Sequence, residues 1–176
     1  MIFNKEIFHK DNLLLTGKPF VRNAYRAVIF DSGKLLMVYS VVNKEVKFPG
    51  GGKEPGESVI DTIIREVKEE VGYSIKQIHD KVGIITEYNI AQETQYDFFK
   101  MISEYYFVKI DQDLHLQELD DYEEKLKFEP KWININDAYE LNIKTIENNI
   151  NVSSWIRRET LVLEELLNNR NILENM

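Results

Sequence analysis

Residues 48–73 read FPGGGKEPGESVIDTIIREVKEEVGY, and the rest of the chain falls into place around them. Five of the eight glycines and two of the four prolines lie between Pro49 and Gly72. Glycine admits close backbone approach and proline fixes φ, so their concentration predicts a loop with a demanding path. By itself such a loop is no more than a strand-to-helix turn. The residues after it have helical spacing. Ile60, Ile63, Ile64, Val67 and Val71 recur at i, i+3 and i+4, which predicts a helix over Ser58 to Val71 with that stripe against the core. Glu66, Glu69 and Glu70 form a second stripe, centred roughly a third of a turn from the first. The carboxylates are therefore expected beside the buried face rather than opposite it.

Three glutamates at this spacing repel one another, and they stand near the helix C-terminus, where the macrodipole disfavours negative charge. A solvated acidic face is the plain reading of such a stripe. A bound cation would reverse both penalties, and a donor set of oxygens without Cys or His suits Mg2+, or Mn2+ as its substitute, rather than zinc or copper.

Loop and helix together are more specific than either alone. Read from Gly51, the segment runs Gly51, five residues, Glu57, seven residues, then Arg65-Glu66-Val67-Lys68-Glu69-Glu70-Val71-Gly72-Tyr73. It resembles the Nudix box, G-x5-E-x7-R-E-U-x-E-E-x-G-U, with U a bulky aliphatic residue. Gly51, Glu57, Arg65, Glu66, Val67, Glu69, Glu70 and Gly72 fall in register, and Tyr73 departs as an aromatic in an aliphatic position. The resemblance implies an α/β (α+β) fold, a Nudix-like α/β/α sandwich with a central mixed β-sheet. It also implies metal ligation by Glu66, Glu69 and Glu70 with the Gly50 carbonyl, and a Glu57–Arg65 pair bracing loop against helix. The implied reaction is Mg2+-dependent hydrolysis of a phosphoanhydride bond in a nucleoside diphosphate linked to X, an NTP, dinucleoside polyphosphate or nucleotide sugar. The products are a nucleoside monophosphate and phosphorylated X. The base is left open between Glu66, Glu70 and a loop glutamate, for which Glu118, Glu123, Glu124 and Glu129 are candidates.

Outside the box, Ile2 to Phe8 reads as a short strand of unclear partner. Asn23 to Phe30 and Lys34 to Val42 are β-rich runs joined by Asp31-Ser32-Gly33, a tight-turn signal, and so read as a hairpin. Val46 to Phe48, Val82 to Ile90, Lys100 to Ile110 and Lys131 to Ile135 complete the strands. A helix starts at Asn136-Asp137, and Ser153 or Ser154 is placed to cap a last helix at about 154–168. Strands alternating irregularly with helices suggest a mixed sheet with helices packed on it. No repeat or linker divides the 176 residues, which predicts a single domain over 1–176.

Composition narrows the partners. With no cysteine there are no disulfides, thiolate metal sites or cysteine nucleophiles, as suits a reducing cytoplasm. No signal-peptide core and no membrane-length apolar run is present, so a cytoplasmic chain without a membrane partner is expected. The net charge of -8 argues against long nucleic acid and permits a small polyphosphate through an intervening dication.

Weaker signals fall on Arg22 and Arg26 as phosphate-binding cations, and on Phe48, Tyr88 and Tyr106 as stacking surfaces for a base. Apolar residues of the last helix, from Trp155 to Leu167, read as packing onto their own domain, with a homodimer contact as the second reading. Two rivals stand beside the hydrolase: a non-catalytic nucleotide-sensing domain on the same scaffold, and a pyrophosphohydrolase of RNA 5′ ends. Retention of every box glutamate favours catalysis, and the acidity disfavours RNA.

Overall fold

Alternation along two central strands explains how this chain buries two cores at once. The computed structural model describes residues 1–148 and 152–174. In chain order its strands begin with β1 (Phe3–Phe8), β2 (Pro19–Val28), β3 (Phe30–Asp31), β4 (Lys34–Ser40), β5 (Glu45–Lys47) and β6 (Gly50–Gly52). Helix α1 (Val59–Val71) follows, then the long strands β7 (Tyr73–Asn89) and β8 (Phe98–Leu114). The chain continues through α2 (Asp121–Leu126), β9 (Phe128–Ile133), α3 (Ile135–Asn148), α4 (Ile156–Asn168) and α5 (Asn171–Glu174).

Five strands form one mixed sheet in the order β1-β7-β8-β2-β6. Within it β1 runs parallel to β7 and β2 parallel to β8, while the β7–β8 and β2–β6 pairs are antiparallel. A second sheet has β4 at its centre, paired antiparallel with β3, β5 and β9. Tyr25, Ala27 and Ile29 point to the side of Ile63, Val67 and Val71 of α1, and Leu36 and Val38 join them. Val28, Leu35 and Met37 point the other way, to Ala138 of α3 and Val162, Leu163 and Leu166 of α4. Successive strand residues face opposite sides, so both layers follow from the same runs. The result is the expected sandwich of helices about a mixed sheet.

Three local expectations are corrected. Ser32 and Gly33 do turn the chain with positive φ, 49° and 80°, but the ladder across that turn is confined to Phe30 and Asp31, with one more bond from the Leu36 N–H to the Ile29 carbonyl. β2 belongs to the other sheet, where ten residues pair with β8, so the long hairpin is not formed. On α1, Ile60 and Ile64 are 56% and 45% exposed, whereas Thr62, Glu66 and Glu70 are buried with Ile63, Val67 and Val71. The helix is thus rotated so that two of the glutamates lie within the buried face. Neither Ser153 nor Ser154 caps α4: Trp155 holds the cap position, and the Ser153 hydroxyl is turned to Glu45 and Asn43.

Among the described residues no helix is long and apolar enough to cross a membrane.

Candidate active site

The glycines that follow β5 bring backbone close to the acidic side of α1. Gly50–Gly52 form a short strand rather than a loop and pair with Ala24 to Arg26 of β2. Gly50 has φ 139°, and a Cβ there would lie 2.2 Å from the Tyr25 carbonyl oxygen. A Cβ on Gly51 would lie 2.4 Å from Glu66 Oε1. A larger residue at Gly50 would press on the backbone of β2, and one at Gly51 would displace the Glu66 carboxylate of α1.

Helix α1 starts sharply because Ser58 and Asp61 make a reciprocal capping box: the Ser58 hydroxyl accepts from the Asp61 N–H at 3.2 Å, and the Asp61 carboxylate accepts from the Ser58 N–H at 2.9 Å. Gly72 ends it in the left-handed conformation. Between these caps Arg65 is the hub. Its Nε donates to Glu57 Oε1 at 2.7 Å and its Nη2 to Glu57 Oε2 at 3.1 Å, a bidentate fork. Its Nη1 reaches Glu66 Oε1 at 2.8 Å and Glu69 Oε2 at 3.0 Å, and Nη2 also donates to the Gly52 carbonyl at 3.2 Å. One guanidinium therefore ties the glycine strand, the Glu57 turn and two glutamates of the helix together.

Glu70 has a different partner. The Lys47 ammonium contacts its Oε1, and the Gly50 N–H donates to its Oε2 at 2.7 Å. Arg26, from β2, donates through Nη1 to the Gly50 carbonyl at 2.7 Å. Burial pushes the carboxyls of Glu66 and Glu70 upward, against the pull of Arg65 on the first and Lys47 on the second. Burial also raises Glu69. Glu57 goes the other way: hydrogen bonds from Arg65 and the Glu54 N–H hold it down at about 2.

These residues fit a hard dication in donor chemistry, since Arg65 takes one oxygen of Glu66 and one of Glu69 and leaves the other oxygen of each to a second partner. Their oxygens already attract cations from the chain itself. Among the described residues no three acidic or imidazole side chains stand as a metal cage; Arg65 holds Glu66 and Glu69, and Lys47 holds Glu70.

In front of the glycine strand opens a cleft of about 580 Å3, a size suited to a small ligand. Gly50, Gly51, Gly52 and Lys47 form its wall toward α1, and Arg22 and Arg26 line it from β2. Arg22 is exposed, and its guanidinium lies over Gly52, where a Cβ would come within 2.8 Å of Nη2. The opposite wall carries His9, Glu87 and Arg158. There Arg158 donates to Glu87 at 2.5 Å and to Glu159 at 2.9 Å, His9 meets Glu87 at 2.9 Å, and Arg26 Nε lies 3.6 Å from Glu159. Burial opposes the charge on Glu87, yet Arg158, His9 and Arg26 together hold its carboxyl below the usual range. The rim adds Tyr122, Trp155 and the exposed loop residues Gln92 and Glu93.

The three aromatic stacking candidates named with these cations lie outside the cleft lining. Phe48 is fully buried, edge-on to Tyr105 at 5.7 Å, and its N–H donates to Glu159. Tyr88 is stacked on Phe8 at 5.0 Å and donates its hydroxyl to Glu6. Tyr106 is occupied by Glu104, to which its hydroxyl donates at 2.6 Å. Of the loop glutamates, Glu118 pairs with Lys68, Glu124 and Glu129 are exposed away from the cleft lining, and Glu123 caps α2. The loop carboxylate at the cleft is Glu93, which sequence reading passed over. Lys47, Glu87 and Arg158 were passed over as well. Glu159 was passed over too.

Comparison with known proteins bears on the family and the fold. A family model described as NUDIX domain matches residues 21–156. The chain is similar to a probable DHNTP pyrophosphohydrolase of Lactococcus lactis subsp. cremoris, 32% identical over 87 residues, which are 48% of this chain and 50% of the relative. It thus spans about half the length of that curated relative. In structure it is similar to the crystal structure of the mMutator MutT protein from Bacillus halodurans, with a TM-score of 0.50 and 19% identity over 68% of this chain and 72% of the other. At that identity the likeness speaks for the fold alone.

Proposed function

This chain belongs to the NUDIX family, and from that membership we propose that it hydrolyses a phosphoanhydride bond in a nucleoside diphosphate linked to X, acting as one domain over 1–176 in the cytoplasm. The observation that carries the reading is the acidic face of α1 set directly behind a glycine strand that walls a cation-lined cleft. A polyphosphate fits that cleft by charge. Arg22 and Arg26 are its counter-charges, although the chain as a whole carries -8.

Glu66, Glu69 and Glu70, with the Gly50 carbonyl, are the residues to hold Mg2+, or Mn2+ in its place. A dication bound there supplies charge to phosphate oxygens and makes water a better nucleophile. The chain's own contribution is positional. Arg65 fixes two of the carboxylates and Glu57 fixes Arg65, so the face does not have to reorganise when substrate enters. Water attacks phosphorus, the bridging P–O bond breaks toward the leaving phosphate, and the water's proton passes to a glutamate of the site. Glu66 and Glu70 stand ready for that proton, since burial raises both carboxyls toward the working pH. Glu93 enters as the loop alternative because it lines the cleft.

Among substrates, the L. lactis relative recommends DHNTP beside nucleoside triphosphates, dinucleoside polyphosphates and nucleotide sugars. The test is a panel of these compounds with Mg2+ or Mn2+ and identification of the products. Metal-dependent release of a nucleoside monophosphate, or its DHNTP counterpart, is expected. Tight binding without hydrolysis across the panel would convert the enzyme into a sensing domain.

A further inference from the structure

Lys47 is 6% exposed and reaches the cleft wall from the last position of β5, directly before Phe48-Pro49 and the glycine strand. An ammonium so far out of water keeps its charge only beside a counter-charge, and Glu70, 1% exposed, is that counter-charge. Its Nζ also lies over an aromatic face, 5.1 Å from the centre of the Phe128 ring. Glu70 gives its second oxygen to the Gly50 N–H, and Gly50 gives its carbonyl to Arg26. Two of the expected metal donors are therefore held by cations belonging to the chain, and both cations also line the cleft.

We infer that Lys47 is the resident counter-ion of Glu70, displaced when a dication joins the carboxylates and then handed to a phosphate oxygen of the substrate in the cleft. The inference rests on the metal-site reading above. An ammonium and a dication repel each other at a shared carboxylate, so one must yield. Lys47 is placed to yield because it already borders the cleft, where a polyphosphate offers it a new partner. Arg65, forked on Glu57, stays. Metal and phosphate then favour each other through this one side chain, and the coupling is reciprocal by linkage. Lys47 is on this account a positioning residue that makes the loaded site form most readily when both ligands are present.

The test is calorimetric titration of the full chain with Mn2+ alone, followed by titration of the Mn2+-saturated protein with inorganic pyrophosphate. Wild type is compared with Lys47→Met and Lys47→Gln, and thermal melts establish that each variant is folded. Lys47→Gln can still donate to Glu70, and carries the test if Lys47→Met does not fold. Removing the resident charge is expected to tighten Mn2+ binding by about threefold or more, the size of one nearby unit charge in a well-screened site. It is expected to weaken pyrophosphate binding by about tenfold, the loss of one charge-assisted contact. Unchanged or weaker Mn2+ binding in a folded variant overturns the counter-ion role while leaving the metal site in place. Unchanged pyrophosphate binding overturns the hand-over. Absence of Mn2+ uptake by wild type overturns the metal site itself, and the inference with it.

Discussion

The charge clusters behind the two sides of the cleft differ in how they are balanced. On the α1 side, four carboxylates, Glu57, Glu66, Glu69 and Glu70, are answered by two cations, Arg65 and Lys47. On the far side, Glu87 and Glu159 are matched by Arg158 and Arg26, with His9 closing on Glu87. The far wall is a closed account of charge and holds α4 to the sheet. The near wall carries a surplus of negative charge, which has a use only when something positive arrives. A balanced buried cluster belongs to the scaffold, and an unbalanced one at a cleft belongs to the chemistry.

The contrast is most sharply broken by substitution on the scaffold side. Arg158→Met leaves Glu87 and Glu159 buried without their main partner. It should cost about 3–5 kcal/mol, the usual penalty for orphaning one half of a buried pair. Urea unfolding measures this, and a variant as stable as wild type would show that the far wall is not structural. On the chemical side the effect should appear in turnover instead. Glu69→Gln and Glu70→Gln should each lower kcat by at least about tenfold while the protein stays folded, since each removes a carboxylate from the face proposed to hold the metal. Large losses of stability in these variants, with kcat intact, would reverse the assignment of the two walls.

Acid and base behaviour sharpens the comparison within the near wall. Burial raises Glu70 above its ordinary 4.5 against the pull of Lys47, so as pH first rises past 4.5 the folded protein holds protons that the unfolded chain has released. Stability without metal should therefore fall as pH rises past that value, and Glu70→Gln should flatten the slope. Glu57 has the opposite sign. With its carboxyl held at about 2, its contribution is present above 4.5 and is lost as pH falls toward 2. Thermal melts from pH 2 to 9, for wild type, Glu70→Gln and Glu57→Gln, test both signs. The smallest effect should be at the helix start, where Ser58→Ala removes one half of the capping box and should cost about 1 kcal/mol.

The near wall was legible in the sequence because it is local. Ser58, Glu57, Arg65 and Gly72 fall within one loop and one helix, and their spacing carries their geometry. Even there the reading slipped by part of a turn. Two adjacent stripes, one apolar and one acidic, do not say which is pressed against the sheet, and Ile60 and Ile64 proved to be on the solvent side. The far wall was illegible because it is assembled from the residue after β1 and from β2, β7 and α4, with Glu87 71 residues from Arg158 and 78 from His9. No local period reports such a meeting. Lys47 was missed for a related reason: within a run of strand residues a lysine reads as an edge, and only the helix returning behind it supplies Glu70. The aromatic candidates failed differently. Alternation shows that Phe48 and Tyr88 each face one side of a strand, but the identity of that side is set by distant packing on Tyr105 and Phe8.

The central claim is that the surplus of acid on α1 binds a divalent ion and uses it to split a phosphoanhydride. Its most direct test is hydrolysis of the substrate panel by wild type, with and without EDTA, beside the folded Glu69→Gln and Glu70→Gln variants. The account predicts nucleotide products that require added Mg2+ or Mn2+ and fall at least about tenfold in both variants. Hydrolysis that persists in EDTA, or at the wild-type rate without either glutamate, would contradict it.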